Sequence, residues 1–225
     1  MRVFRNSITV TVAVVILLAL FGMVFGGTKA AAVGAKTDVV KYAPVTAGAY
    51  NLDPAHTIIG FGVKHLEIAI VKGRFKDFNG TIQYNTADPK KSTVEFSAKI
   101  DSIDTGVEPR DAHLKTADFF DAEKFPTMTF KSKHVEKKDK GYVLHGDLTI
   151  KGVTKPVSLP FTMTGAVKDP WGGTRFGISA STKIDRRDFG ITWGNALPLG
   201  GADVANEVTI ELQAEAVRAA AKKAE

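Results

Sequence analysis

The twelve-residue stretch "RDAHLKTADFFD", from Arg110 to Asp121, concentrates the side chains that could do chemistry. It holds an arginine, a histidine, three aspartates and two adjacent phenylalanines. In an acid–base site, His113 would exchange a proton with a carboxylate while Arg110 bound an anion. On a helix, however, Arg110 and His113 are neighbours whereas Asp111 points elsewhere. The spacing therefore suits a catalytic triad poorly.

The same stretch also fits a structural role, that of a helical flap. Pro109 suits the first turn of a helix, and Asp118 can cap a further turn. Arg110 and Asp118 would then fix the two ends of the flap while Phe119 and Phe120 turn toward an apolar interior. We favour this interpretation because the aromatic rings make the larger contribution to burial.

The other polar residues offer no stronger site. His134 and His145 flank a hairpin, but strand parity predicts that they face opposite sides of the sheet. The sequence contains no HExxH pair and no G-x-S-x-G nucleophile elbow, and "WGGTR" has the composition of a turn. We therefore predict no metal, cofactor or catalytic site.

Composition narrows the class of protein. The absence of cysteine rules out disulfides, thiolate metal sites and a thiol nucleophile. The net charge of +6 comes from 30 basic and 24 acidic residues, and three of the basic ones lie in the first thirty residues, where no acid occurs. The remaining 27 basic and 24 acidic residues are interspersed instead of forming runs. This balance predicts no nucleic-acid partner.

The N-terminal segment indicates export. Arg2 and Arg5 precede an apolar run, Ile8–Phe25, and an A-x-A-like site follows at residues 30–32. This order is typical of a secretory signal peptide, although the run also reaches the length of an uncleaved N-terminal anchor. Both interpretations place the body of the protein in the periplasm or secrete it.

From Tyr50 onward the dominant pattern has period two, as in half-buried strands. For example, Phe96 and Ala98 alternate with polar residues, and the parity slips between Asp77 and Phe78 in the way a bulge would cause. About eight such runs, each with one apolar face, predict a closed antiparallel barrel or a two-sheet sandwich. An eight-stranded barrel is filled by side chains or holds one small ligand, and periodicity does not choose between the two.

The chain resembles the YceI family of bacterial lipocalin-like proteins from Tyr50 to about Val217. The stretches that carry the resemblance, in family order, are "YNLDPAHTIIGFGVKHL", "GRFKDFNGTI", "IDSIDTGVEPRDAHLKTADFFDAEKFPTMTF", "GDLTIKGVTKPVSLPF" and "DPWGGTRFGISASTKIDRRDFGITW".

The resemblance implies an all-β fold, an extended eight-stranded antiparallel lipocalin-like β-barrel with a short helical segment near residues 109–121. It also implies binding, transport or sequestration of a polyisoprenoid or similar long-chain amphiphile, without catalysis, with a membrane as the source of the ligand. A homodimer is left open. The expected division of the chain is a signal peptide or anchor at 1–32, a linker at 33–48, the barrel at 49–217 and a tail at 218–225.

Inward strand parity and the flap give the candidate ligand-binding residues. The expected cavity liners are Phe61, Phe75, Phe78, Phe96, Phe119, Phe120, Phe130, Leu144, Leu148, Leu159, Phe161 and Phe176. Arg110, His113 and Arg175 are the candidates for a polar head group at the mouth of the barrel.

Two other functions remain open at this point. One is a hydrolase or isomerase that acts on a lipid through His113 and a nearby carboxylate. The other is a structural or interaction module whose barrel is filled by side chains.

Overall fold

The computed structural model describes residues 40–220, most of which form β-strands. The strands β1 to β12 are Gly48–Leu52, Ile58–His65, Ala69–Phe75, Phe78–Tyr84, Thr93–Lys99, Ile103–Asp104, Thr127–Lys137, Tyr142–Ile150, Val153–Met163, Val167–Lys168, Thr174–Asp185 and Val204–Arg218. The helix α1 is Glu108–Lys115, and short 3-10 helices lie at Pro89–Lys91, Ile100–Ser102 and Arg186–Phe189. Within residues 40–220, no helix is long and apolar enough to cross a membrane. The expected leader at 1–32 and residues 221–225 lie outside the described part.

The strands form where apolar and polar residues alternate. In β8, Leu144, Leu148 and Ile150 are buried, whereas the intervening Val143 and His145 are partly exposed. Since successive side chains of a strand point to opposite faces, this alternation gives a sheet with one apolar face.

The sheet closes into a barrel through β12, which pairs with β11 on one side and with β1 and β2 on the other. The segments β1–β2, β3–β4, β5–β6 and β9–β10 each continue one path along the wall, so the twelve segments form a barrel of eight strands. All the pairings are antiparallel. The predicted fold is confirmed.

The parity slip seen in the sequence coincides with the bend between β3 and β4. Phe75 and Phe78 are both buried although they are three positions apart. The two residues between them leave the ladder, and the amide of Lys76 donates to Ser102 O at 3.1 Å while Asp77 O accepts from Lys99 N at 2.9 Å. Two residues outside the ladder thus restore the inward face.

A second irregularity corrects the prediction for His134 and His145. The register of β7 against β8 shifts between Ser132 and His134, and beyond the shift His134 lies directly opposite His145. The two rings stack with centroids 4.5 Å apart. The prediction that they face opposite sides was wrong, because a bulge adds one residue to one strand and reverses its parity from that point.

Two apolar clusters occupy the barrel. One lies at the end that carries α1 and includes Ile100, Ile103, Met128 and Phe189. The other lies at the opposite end and is built from Val45, Tyr50, Ile82, Ala166, Phe176 and Ala216.

The second cluster includes part of the expected linker. Val45 is buried, and Ala43 forms a β-bridge with Ala166. Residues of the expected linker from Ala43 onward therefore pack against the barrel.

The ladder between β9 and β11 is short for strands of eleven and twelve residues. Their ladder consists of three residue pairs, from Phe161 with Ala180 to Met163 with Ile178. Farther toward α1, Thr182 Oγ1 donates to Ser158 O at 2.9 Å.

Candidate functional site: the barrel interior

The barrel encloses an apolar cavity of about 730 Å³. Its walls include Val71 and Leu114 at the α1 end and Tyr84 and Met163 at the opposite end, so the cavity follows the length of the barrel. A pocket of this size lies within the range of protein sites that enclose small molecules. The barrel is therefore not filled by its own side chains.

Most of the residues expected from the sequence surround this cavity. Those that line it are Phe61, Phe75, Phe96, Phe119, Phe120, Phe130, Leu144, Leu148, Leu159, Phe161, Phe176, Arg110 and His113. The other two, Phe78 and Arg175, lie elsewhere.

Phe78 belongs to the packed core. It is 5% exposed, and its ring lies 6.2 Å from that of Phe96, which does reach the cavity. Both residues point inward, and strand parity carries no information about which inward ring borders open space.

Arg175 lies in an ion cluster away from the cavity. Its guanidinium donates to Asp169 Oδ2 at 2.7 Å, to Glu215 Oε2 at 3.1 Å and to the carboxylate of Asp53. His56 and Arg175 lower the pKa of Asp53 to about 2. The cluster joins three segments of the wall, so the candidate role of Arg175 at a head group is corrected to a structural one.

The same cluster offers ligand atoms for a metal ion. Asp53, His56 and Glu215 present such atoms within 4.8 Å of one another. Arg175 already pairs with both carboxylates, so a cation would have to displace it. The arrangement therefore fits a salt-bridge cluster better than a metal site.

The flap is anchored through Thr105, which precedes α1. Arg110 Nε donates to Thr105 Oγ1 at 2.7 Å and Arg110 Nη2 to Thr105 O at 2.9 Å. Asp111 Oδ1 accepts from the amide of Thr105 at 2.9 Å. Arg110 thus holds the start of the flap while its side chain also borders the cavity.

His113 stands where the flap meets the cavity. A hydrogen bond of 2.9 Å joins its Nε2 to Asp118 Oδ2. Its ring meets Phe119 and Trp193 edge to face, with centroids 5.0 Å away in each case. The hydrogen bond spans the flap and the ring seals its inner side, so His113 both holds the flap and lines the cavity.

Comparison with known proteins decides the family. The model of the YceI-like domain matches residues 50–216. The chain belongs to this family. A UPF0312 protein of Photorhabdus laumondii is 45% identical over 134 residues, which cover 60% of this chain and 70% of that protein.

Solved structures agree with the barrel. The crystal structure of a Campylobacter jejuni YceI protein is 34% identical, with a TM-score of 0.61 over 70% of this chain and 90% of that one. A polyisoprenoid-binding domain from Saccharophagus degradans has a TM-score of 0.52 at 12% identity, covering 77% of this chain and all of that one. The second likeness concerns the fold alone.

The part of the YceI-like site that sequence reasoning missed follows β11. Phe189, Ile191 and Trp193 line the cavity but lie in no strand, so the alternation that identified the other liners is absent. Their position depends on Arg186, which is 6% exposed. The aromatic and apolar content of "RRDFGITW" is the one sequence signal that could have indicated them.

Arg186 holds this segment of the YceI-like domain through backbone carbonyls. Its guanidinium donates to Ala205 O, Ile191 O, Trp193 O and Val204 O at 2.6–3.1 Å. Burial lowers the pKa of the guanidinium. The four carbonyls offset part of the cost of placing a charge in the interior.

Polar groups are few at the end of the cavity opposite α1. Tyr84 lines that end, and burial raises the pKa of its hydroxyl, with smaller contributions from Tyr142 and Tyr50. Four side chains with formal charge line the cavity: Lys64, Arg110 and Arg186 near the α1 end, and Glu211 on β12. The cavity is thus apolar along most of its length, and three of its four charged side chains lie near the α1 end.

Proposed function

We propose that this protein binds a polyisoprenoid or a similar long-chain amphiphile inside the barrel and carries or sequesters it. The observation that carries the proposal is the apolar cavity of about 730 Å³ along the barrel axis. An elongated apolar space suits a long hydrocarbon chain better than a compact polar metabolite. The Saccharophagus degradans domain of the same fold, described as polyisoprenoid-binding, supports this choice of ligand class.

Burial of the chain would supply most of the binding energy. Each buried methylene group contributes about 0.8 kcal/mol, so ten of them would give roughly 8 kcal/mol before the ordering costs. No specific polar contact is needed along the tunnel. Selectivity would then rest on chain length and on the head group.

The head group would lie at the α1 end. Lys64, His65, Arg110 and His113 border the cavity there. The guanidinium of Arg110 and the imidazole N–H groups favour a phosphate or another electron-rich polar group over a cationic one, whereas Lys64 is already paired with Glu67.

The site of action that we propose is outside the cytoplasm, in the periplasm or after secretion. The support is the basic start of the chain followed by the apolar run Ile8–Phe25. A membrane is then the nearest source of a lipid ligand.

Native mass spectrometry of the protein purified from its own host, followed by lipid extraction, tests the proposal. We expect a co-purifying hydrophobic molecule that Leu159→Trp removes, because Leu159 lines the cavity and the larger ring would occupy it. Lys183→Trp is the control, since Lys183 is exposed on the outer face of β11. Purified wild-type protein without any bound lipid, and without uptake of the polyprenol solanesol, would contradict the proposal.

The second candidate, a hydrolase acting on a lipid, is favoured by one observation. His113 and Asp118 form the histidine–carboxylate pair that such an enzyme needs, at the edge of the cavity. Turnover of a long-chain ester that is lost in His113→Ala, with lipid binding retained, would support this function over carriage. Equal rates in the two proteins would count against it.

A further inference from the structure

The end of the barrel that carries α1 exposes a group of large apolar side chains. Six of the ten most exposed large hydrophobic residues within 40–220 lie here, and we call them the apolar rim: Leu66, Ile68, Ile70, Val107, Trp193 and Leu199. Ile68 is 83% exposed and Leu199 is fully exposed. Single apolar residues scattered on a surface are ordinary, whereas a group at one end indicates an interaction surface.

Hydrogen bonds hold the segments of the rim beside one another. The amide of Leu66, in the turn between β2 and β3, donates to Asp203 O at 2.9 Å. The carboxylate of Asp203 accepts from the amide of Asn195 at 2.8 Å, which fixes the start of the loop that presents Leu199. The turn and the loop therefore form one built surface.

The turn that carries Leu66 and Ile68 is also strained. It is closed by a hydrogen bond of 3.1 Å from Ile68 N to His65 O, and its two central residues, Leu66 and Glu67, have φ angles of 50° and 59°. Turns of this kind normally take asparagine or glycine at these positions. An exposed leucine held in a left-handed conformation suggests a use for its side chain beyond folding.

The apolar rim continues into the cavity. Val107 and Trp193 belong both to the rim and to the cavity wall, and His65 and Val71 line the cavity beneath the turn. Val107 and Trp193 are also the cavity liners that rank among the most exposed large hydrophobics of the described chain. The mouth of the cavity is therefore at the rim.

The charges beside the rim pair with one another. Lys64 lies 3.2 Å from Glu67, and Lys72 lies 3.0 Å from Glu211. Each pair is neutral overall, so these four side chains offer no net charge that would recruit a charged protein. Separate apolar tips on turns, with a tryptophan among them, suit insertion into the fluid headgroup region of a bilayer.

We infer that the apolar rim docks the barrel on a lipid bilayer, with the β2–β3 turn and the Leu199 loop inserted. A lipid chain could then pass between the acyl layer and the cavity without crossing water. The inference of docking depends only on the apolar rim, whereas the inference of lipid passage depends on the proposed function as well.

Cysteine labelling of the full-length chain tests the docking, because the sequence has no native cysteine. Acrylodan on Ile68→Cys should shift to the blue with phosphatidylcholine vesicles. Ile58→Cys, an exposed position on the outer wall, is the matched control and should not shift. This local readout is independent of any membrane binding by the N-terminal segment. An equal response at the two positions, no response at 68, or a response only with anionic vesicles would overturn the inference.

A transfer assay separates this inference from the proposed function. Ile68→Asp should bind solanesol added from ethanol as the wild type does, but take up pyrene-labelled solanesol from vesicles about tenfold more slowly. Direct binding with no acrylodan response would refute docking and leave lipid binding intact. An acrylodan response without any solanesol uptake would support docking and refute the proposed function.

Discussion

The imidazole of His113 and the carboxylate of Asp118 are joined by a hydrogen bond of 2.9 Å that ties α1 to the turn behind it. The histidine–carboxylate pair at the edge of the cavity thus acts as a latch on the flap. Phe119, the residue after Asp118, is buried, and its ring lies 5.1 Å from that of Trp193.

Removal of the latch should loosen the flap without unfolding the barrel. We expect Asp118→Ala to lower the free energy of unfolding by no more than about 1 kcal/mol, because the pair is exposed. The amides of residues 113–121 should nevertheless exchange hydrogen faster. Glu123→Ala, at an exposed position just after the flap, is the control, and equal exchange in all three proteins would show that the hydrogen bond is no latch.

Substitutions of the adjacent residues Arg186 and Arg187 should differ sharply in the unfolding free energy that they cost. Arg186→Met leaves four backbone carbonyls without their donor, and we expect a loss of about 3–5 kcal/mol of unfolding free energy in urea. Arg187 is exposed and pairs with Asp185, so Arg187→Met should cost about 1 kcal/mol or less. Similar losses for the two variants would argue against a structural role for the buried guanidinium.

Substitutions at Phe78 and Phe161 should distinguish a residue of the packed core from a residue of the cavity wall. Phe78→Ala should cost about 3–5 kcal/mol, because it opens a void inside a packed cluster. Phe161→Ala should cost only about 1–2 kcal/mol, since its ring already borders open space and has fewer contacts to lose. At temperatures where both variants are folded, solanesol binding should be weaker in Phe161→Ala and unchanged in Phe78→Ala. Equal stability losses would indicate that the cavity is not open in solution.

The ionised carboxylate of Asp53 should stabilise the fold in a defined pH range. Its folded pKa of about 2 lies below the ordinary value of 3.8. A depressed pKa contributes stability that is complete above the ordinary value and is lost as the pH falls through the folded value. The difference in urea midpoint between wild type and Asp53→Asn should therefore be constant at neutral pH and shrink between about pH 4 and pH 2. A difference that stays constant over that interval would contradict the assignment.

Alternation along the chain predicts the strands because the face of a strand is a local property. Phe96, Phe130 and Leu148 point into the barrel as their parity requires. The positions where the alternation is interrupted are harder to predict. The break after Phe75 was visible as a slip in the pattern, whereas the bulge before His134 falls among polar residues, where a change of parity leaves no trace.

The positions of the polar residues could not be predicted from the sequence either, and the reason is a different one. Arg175 lies near the start of β11 and Arg110 lies in α1, and only the assembled barrel shows which end carries the mouth. Trp193 was missed because it lies in a loop that is held by the distant backbone contacts of Arg186. Such positions depend on tertiary contacts, which a period of two does not encode.

The pairing of Tyr50 with Arg218 sets when the cavity comes into existence. The first strand of the barrel finds its last neighbour only after nearly the whole chain has been made, and contacts so far apart in sequence form slowly. Until β12 docks, β1 and β2 on one side and β11 on the other are open edges, which are prone to pair with other chains. A chain that stops before β12 is thus an open sheet with nothing enclosed, and the ability to hold a lipid arises in the final step of folding.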